Sequence, residues 1–589
     1  MDLFTWNPWL LVLSEVTAQE GLTALGLLGV LSHRLYFMKG EHHMKAPHLF
    51  LTWVSVSAFV YGITFVARAQ VRATGTQDVV YGPFMTTALL NGAFFAPLFI
   101  SMIIYRIFEH PLRHYPGPRM AAASKLWHFF NVFRKQNHLL LEDLQETYGP
   151  FIRTGPQELT ICHPDVFQAI GGPGTSCIKA GLYDLMRPFV SINSIRTKQG
   201  YAPRRKRWDE ALGLSKPHIP DKQERVYHSA ALLVQQIKLW TDNPVNVTVW
   251  FHHFSWDVMM SIGFGRTTDL TKSLSPDVNL EGIVSLIMQG VGMLRFFIPA
   301  PWIGRLAIEA APYIPFVTQQ WNRSVRWAAE LCDSRLNQVQ DGNSPVDAFS
   351  RFIEASKGIQ EDDMLERWAL YGDAYAISVA GSHTTAATLT MLMYELARQP
   401  ELQAKARNEV LDAGVQDLSF SNTPVSEEAK TMAWDKLPFL NGCINETMRL
   451  YPALPTGGTR QTVDKAITIA GRYIPPYTTI VAPRWSIGRL KTAFDSPHEF
   501  LPERWTTKRQ MVKCPQAFSP FADGRHTCPG KQLGLLEVRM VAAMILAKFQ
   551  FRLAPGKNNQ TRAFDDLKDG FTATPGDLYL LFTSIDGEP

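Results

Sequence analysis

A chain of 589 residues, 46% hydrophobic and 19% charged, can bury a large core, and its length alone suggests several domains. The net charge of +5 is spread thinly, with Arg204-Arg205-Lys206-Arg207 the densest cluster. This argues against a nucleic-acid partner and fits a protein beside an anionic membrane surface or an acidic partner. Six cysteines without a CxxC pair or regular spacing argue against a disulfide framework or zinc site, and for reduced thiols facing the cytosol.

Residues 1–110 predict a membrane anchor with two to three transmembrane helices. Pro47 to Ala67 and Val79 to Tyr105 carry no formal charge over 21 and 27 residues. Each matches or exceeds the roughly 20 apolar residues that cross a bilayer core. Gly21 to Phe37 is a third candidate, interrupted by Ser32-His33-Arg34. No Lys or Arg precedes Arg34, whereas Arg106, Arg113, Arg119 and Lys125 follow the last span. The positive-inside rule then places the C-terminal part in the cytosol. Residues 111–120 read as a Pro-rich hinge, and residues 121–589 as a separate globular domain.

The globular part predicts helices with short strands near each end. Leu139 to Thr147 reads as a helix, Phe151 to Arg153 and Glu158 to Ile161 as strands, and Pro164 to Ile170 as a helix with proline in its first turn. In Tyr201-Ala202-Pro203-Arg204-Arg205-Lys206-Arg207-Trp208, four cations on one turn cannot share a face. Some are surface, or one points inward to an anionic carboxylate. Leu365 to Arg398 predicts the longest helix, roughly 50 Å at 1.5 Å per residue. Its middle, Ala380-Gly381-Ser382-His383-Thr384-Thr385, puts small and hydroxyl-bearing residues where helix propensity is poor. That marks either a widening where a ligand meets the backbone, or hydroxyls bonded back to helix carbonyls. Pro438 to Leu450 predicts a helix placing Glu446 and Arg449 on one face, with Arg504 a candidate third member of a buried charge cluster. Ile467 to Ile480 alternates around Gly471-Arg472 and suggests a hairpin.

Phe521-Ala522-Asp523-Gly524-Arg525-His526-Thr527-Cys528-Pro529-Gly530 precedes a helical run from Lys531 to Phe549. A helix N-terminus with nearby cations favours thiolate, and glycines let backbone approach a flat partner. Such a loop is one way proteins hold haem iron. An inert cysteine before an ordinary helix is the alternative.

Taken together, the cysteine loop, the mid-helix Ala-Gly-x-x-Thr, Glu446-x-x-Arg449 and Pro502-Glu503-Arg504 resemble the cytochrome P-450 superfamily over roughly residues 110–585, most closely its microsomal, fungal-type members. The resemblance implies a mainly α fold with a small β-rich lobe, preceded by N-terminal transmembrane helices. It implies haem b with Cys528 as axial thiolate. Phe521 would pack beside the loop, with Gly524 and Gly530 shaping it. His526, Arg205 and Arg460 fall where the family binds haem propionates, His526 replacing the usual arginine. Glu446, Arg449 and Arg504 match the family's structural charge triad. Thr384 matches its proton-delivering threonine, and His383 stands where an acid is usual, so a relay through His383 is expected. Both histidines are expected to titrate near neutral pH.

The implied activity is monooxygenation, by hydroxylation or epoxidation, of a lipophilic small molecule in fungal secondary metabolism, with a terpenoid-like scaffold favoured. Ala376 to Thr384, Pro455 to Thr459 and Phe571 to Thr574 would form the substrate walls. Dioxygen is the co-substrate. The chain has no Gly-rich dinucleotide fingerprint, so an NADPH-dependent flavoprotein reductase is the implied electron source, docking near Arg525 and Lys531. Endoplasmic reticulum lipid surrounds the anchor in this reading. Two alternatives are a haem-thiolate enzyme that rearranges, dehydrates or desaturates its substrate, and a membrane-tethered haem sensor or carrier.

Overall fold

Long apolar runs give the N-terminal part of the chain its form. The computed structural model describes residues 19–73, 82–213, 219–340, 347–355, 364–417, 432–556 and 560–585, which separate into two units. The first takes in the described residues up to Phe129 together with Arg153–Gln157 and Pro299–Tyr313. Among the described residues, two stretches are long and apolar enough to cross a membrane, His43–Ala69 and Pro83–Glu109, each with mean hydropathy 1.9. Positions 79–81 of the second predicted span lie outside the described residues. The third candidate is a 14-residue helix, Gln19–Ser32, followed by a π-turn.

Apolar side chains such as Leu51, Phe59, Phe65 and Phe84 point outward from these helices. Polar ones pair internally: Trp53 Nε1 donates to Asn91 Oδ1 at 2.7 Å, and Asn91 Nδ2 donates to Ser57 Oγ at 3.2 Å. Gly29 permits a close helix crossing, since a Cβ there would lie 2.3 Å from the Phe94 carbonyl.

The second unit is mainly helical with small sheets. Its centre is the long helix Met364–Arg398 packed on Val247–Phe264. The latter is buried along nearly its whole length through Trp250, Phe251 and Phe254. A continuous apolar core spreads from these two helices to Pro438–Leu450 and to Lys531–Lys548, the helix after the cysteine loop. The mid-helix glycine serves packing: a Cβ on Gly381 would lie 2.3 Å from Met259 Sδ. The hydroxyls of Ser378, Ser382, Thr384, Thr388 and Thr390 bond back to carbonyls four residues earlier. Of the two readings of this stretch, back-bonding is therefore present at Ser382 and Thr384, while Thr385 bonds to Glu537.

Short strands build the lobe that frames the site. Glu158–Ile161 pairs in parallel with Thr479–Val481; Arg460–Gln461 joins that strand antiparallel, and Ile178–Lys179 pairs with Arg460–Gln461. Two sequence expectations shift. The helix expected from Pro164 begins at Val166, leaving the proline in the preceding turn. The hairpin turns on Ala470-Gly471, both at positive φ (+47° and +76°), so Arg472 starts the second strand. Thr479–Val481 belongs to the other sheet.

Candidate active site

The cysteine loop is shaped by backbone contacts far apart in sequence. Ala522 and Gly524 adopt positive φ, and the Cys528 amide donates to the Phe521 carbonyl at 2.8 Å. At Gly524, φ is +62° and a Cβ would meet the Gly171 carbonyl oxygen at 1.9 Å, so only glycine fits. Gly530 is open, with the Cys528 sulfur the sole neighbour of a built Cβ, at 3.9 Å. Phe521 packs against the core, with Lys531 Nζ 5.9 Å from its ring centre.

Cys528 is exposed, yet burial pushes its thiol above its ordinary range, opposed by the Gly530 amide, Arg205 and Lys531. Exposed surface together with strong desolvation is what a side chain bordering an internal space would show. The long helix shows the same sign: Ala380 is exposed and Thr384 half-buried amid otherwise buried turns. Glu537, on the helix after the cysteine loop, is buried against Thr385, and desolvation raises its carboxyl to about 8.

A second feature of the site is positive charge. The strand pairing sets Lys179 directly opposite Arg460, an unfavourable arrangement unless an anion is near. Arg525, Arg205 and His526 complete the cluster; burial first, and then Arg460, Arg205 and Arg525, lower both Lys179 and His526. Lys179 Nζ is buried and donates to the Ile192 carbonyl, and Arg460 donates to the Thr459 carbonyl at 3.1 Å. Among the described residues, Lys179, Arg460 and Arg525 have no carboxylate partner, and His526 Nδ1 is buried without an acceptor or donor.

The helix Lys198–Leu212 binds the cysteine loop to the long helix. Tyr201 Oη donates to the Arg525 carbonyl at 2.9 Å and its ring stacks edge-on to His526. Arg205 donates to the Thr527 carbonyl and pairs with Asp209 at 2.8 Å. Arg204, one residue earlier, is buried and pairs with Asp373 of the long helix at 2.8 Å. Helical spacing thus separates the four cations: two face inward, Arg207 pairs with Glu366, and Lys206 is exposed.

His383 is 1% exposed, its Nδ1 2.5 Å from Thr572 Oγ1 and its Nε2 3.2 Å from Thr574 Oγ1. Desolvation lowers it to about 4. His526 is lowered to about 2 by burial first and then by Arg460, Lys179, Arg525 and Arg205. The expectation that both titrate near neutral pH is therefore corrected: the surrounding protein keeps both neutral.

A stability effect follows. Below pH 6.5 an unfolded His383 takes up a proton that the folded protein refuses down to about pH 4, so its share of stability is lost across that window. At 1.36 kcal/mol per unit, the loss is about 3 kcal/mol. Denaturation midpoints measured between neutral and acid pH are expected to fall less steeply in His383→Gln. An unchanged acid slope would refute this.

Glu446 is a buried carboxylate that accepts five hydrogen bonds. It accepts from Arg449 Nε and Nη2 (2.8 and 2.7 Å), Arg504 Nε (2.8 Å), Trp505 Nε1 (2.9 Å) and the Leu501 amide (2.9 Å). Arg449 also donates to the Gly488, Pro497 and Glu499 carbonyls.

Sequence reasoning did not find Lys179 as part of this site, nor the bonds from His383 to Thr572 and Thr574 within the expected wall Phe571 to Thr574. Lys179 sits on a two-residue strand with no motif around it, and the histidine's bonds join positions far apart in the chain.

Comparison with known proteins converges on the same features. Residues 116–582 match the cytochrome P450 family model. The chain is 33% identical to cytochrome P450 monooxygenase FCK2 of Fusarium pseudograminearum (strain CS3096), over 95% of this chain and 96% of that one. It is 31% identical to tryprostatin B 6-hydroxylase of Aspergillus fumigatus (91% and 92%), and 30% identical to cytochrome P450 monooxygenase notG' of Aspergillus versicolor (93% and 95%). The chain belongs to the cytochrome P450 family. It is a haem-thiolate monooxygenase, using haem held by a cysteine thiolate and electrons from NADPH delivered by a reductase partner. The residues present fit that group: an exposed yet desolvated cysteine beside Lys179, Arg460 and Arg525, which have no carboxylate partner among the described residues.

Proposed function

We propose that the enzyme inserts one oxygen atom, by hydroxylation or epoxidation, into a lipophilic, terpenoid-like molecule of fungal secondary metabolism. The observation that carries this reading is the exposed yet desolvated Cys528 beside a basic cluster in which Lys179, Arg460 and Arg525 have no carboxylate partner among the described residues. Haem bound there supplies the reductive activation of dioxygen.

The chain's own residues divide the remaining work. Cys528 would supply the thiolate that holds the iron. Arg205, Arg460 and His526 would hold the haem carboxylates; an anion beside His526 would favour its protonated form, raising it from its depressed value. Gly524 and Gly530 shape the loop, and Phe521 packs it. Glu446, Arg449 and Arg504 hold the core rigid. Ala376 to Thr384, Pro455 to Thr459 and Phe571 to Thr574 wall the cleft, whose few charges suit an apolar substrate. Thr384, partly exposed beside Ala380, passes protons on its hydroxyl. The N-terminal helices anchor the chain in endoplasmic reticulum lipid with the catalytic domain in the cytosol. The loop around Arg525 and Lys531 receives a flavoprotein reductase.

The relatives' names support this reading, one of them being a hydroxylase of a small molecule. Thr384→Ala is expected to keep NADPH oxidation but divert a larger share, severalfold, into hydrogen peroxide, since general acid–base groups contribute about 10²–10⁴-fold. Peroxide measured against product checks it. Membranes holding the chain and a reductase, supplied with NADPH and labelled dioxygen, test the whole reading. One labelled oxygen in the product is expected. An unlabelled, rearranged or desaturated product would replace insertion with the isomerase or desaturase reading. Absence of NADPH consumption with any lipophilic substrate would favour a haem sensor or carrier.

A further inference from the structure

The helix Lys198–Leu212 works in two directions. Tyr201 and Arg205, four residues apart and so on one face, hold the Arg525 and Thr527 carbonyls of the cysteine loop. Arg204 and Trp208 repeat that spacing on a neighbouring face, and both reach a single carboxylate of the long helix. Arg204 Nε donates to Asp373 Oδ2 at 2.8 Å, and Trp208 Nε1 donates to Asp373 Oδ1 at 3.1 Å. A shift of this helix along or about its axis therefore disturbs the loop and the long helix together.

Asp373 gathers a further donor. The Ile192 amide also bonds to it, while the Ile192 carbonyl accepts from Lys179 of the basic cluster. Asp373 has no exposed surface, and Arg204 is buried. A buried charge persists only when paired and hydrogen-bonded, and here the donors come from two separate segments. Burial raises the Asp373 carboxyl to about 6, with Arg204 the chief opposing influence, so carboxylate and guanidinium depend on one another.

The position of Asp373 along the long helix gives that junction its reach. Ala380 and Thr384 follow it by seven and eleven residues, close to two and three turns at 3.6 residues per turn, so the three share one stripe. Ala380 is exposed and Thr384 half-buried amid otherwise buried turns, so this is the stripe on which surface remains. Asp373 and its donors close its N-terminal end. The segments that hold the cysteine loop and the basic cluster are thereby keyed to the stripe that carries Thr384.

We propose that Asp373, joined to Arg204, is a positioning residue for oxygen activation: it fixes the Thr384 stretch of the long helix relative to the cysteine loop, so that proton delivery at Thr384 depends on a carboxylate three turns away. The idea rests on the reading above of Cys528 as the thiolate and Thr384 as the hydroxyl that passes protons. Asp373 touches no reacting atom in this role. It holds two elements in register, and misplacing a catalytic group by about 1 Å can cost about 10²-fold.

The test uses the haem-loaded, full-length enzyme with an NADPH-dependent reductase. Asp373→Ala is expected to raise the hydrogen peroxide formed per NADPH consumed severalfold. Amide exchange across residues 376–384 and 524–530 is expected to quicken together by about tenfold, the scale of one charge-assisted hydrogen bond. Should Asp373→Ala fail to hold haem, Asp373→Asn keeps an acceptor and is expected to move both readouts in the same direction. Added to Thr384→Ala, Asp373→Ala is expected to leave the peroxide share where Thr384→Ala alone puts it, because both act through one hydroxyl. A peroxide share in Asp373→Ala equal to the parent's, with the thiolate-type ferrous–carbonyl absorption retained, would overturn the proposal and leave the monooxygenase reading intact. So would exchange that quickens only within Lys198–Leu212, or an effect that simply adds to that of Thr384→Ala. A parent without that absorption would overturn the haem-thiolate reading and the proposal with it.

Discussion

Glu446→Ala is expected to leave almost no haem-loaded protein. The substitution removes an acceptor that five donors share and strands two guanidinium groups, Arg449 and Arg504, whose side chains have no exposed surface. Deleting one partner of a buried pair costs about 3–5 kcal/mol, because the remaining charge stays desolvated and unpaired. No discount for solvent screening applies at full burial. Net stabilities are about 5–15 kcal/mol, so this one change consumes a large part of the margin. The carbonyls of Gly488, Pro497 and Glu499, which Arg449 also binds, lose their fixed partner at the same time. Thermal inactivation and the yield of thiolate-type ferrous–carbonyl absorption per milligram measure the effect. An alanine variant with the parent's midpoint and spectrum would show that the triad is dispensable.

Cys528→Ser is expected to do the opposite: erase the chemistry and spare the fold. The loop is held without the sulfur, by Cys528 amide to Phe521 carbonyl, Tyr201 to Arg525 and Arg205 to Thr527. Stability is therefore expected to stay within about 1 kcal/mol of the parent, as for substitutions that break no buried network. The red-shifted ferrous–carbonyl absorption of a thiolate haem is expected to vanish, and NADPH-driven turnover with it, because serine cannot supply the electron density that a thiolate pushes towards O–O cleavage. Retention of that absorption in the serine variant would remove Cys528 from the iron.

The parts of this enzyme that were legible in its sequence are those whose information is local. The helix around Glu446 and Arg449 spaces its charges three apart, and the cysteine loop carries its glycines and cations within ten residues. The long helix, expected over Leu365 to Arg398, spans Met364–Arg398. What stayed hidden depends on pairing across the chain. Lys179 meets Arg460 through a two-residue strand, too short to carry a periodicity of its own. His383 stood out as an oddity of its helix, but its partners lie 189 and 191 residues away. The neutral pKa expected for it failed for the same reason: the ordinary value describes a solvated ring, and only packing reveals complete burial.

The cysteine loop's dependence on distant segments also bears on how the protein is made. Gly524 fits only against the Gly171 carbonyl, and Arg525, Thr527 and Tyr201 are tied over more than 300 positions of chain. Contacts of such sequence separation form late, after loop-closure entropy has been overcome. Synthesis runs from the N-terminus at about 5–20 residues per second, and earlier segments begin folding first. The apolar N-terminal helices and the long helix thus emerge well before residue 528 does. The nascent chain lacks its cysteine loop until its last tenth is made, so cofactor capture is expected to follow synthesis, and a chain truncated before residue 528 is expected to stay colourless.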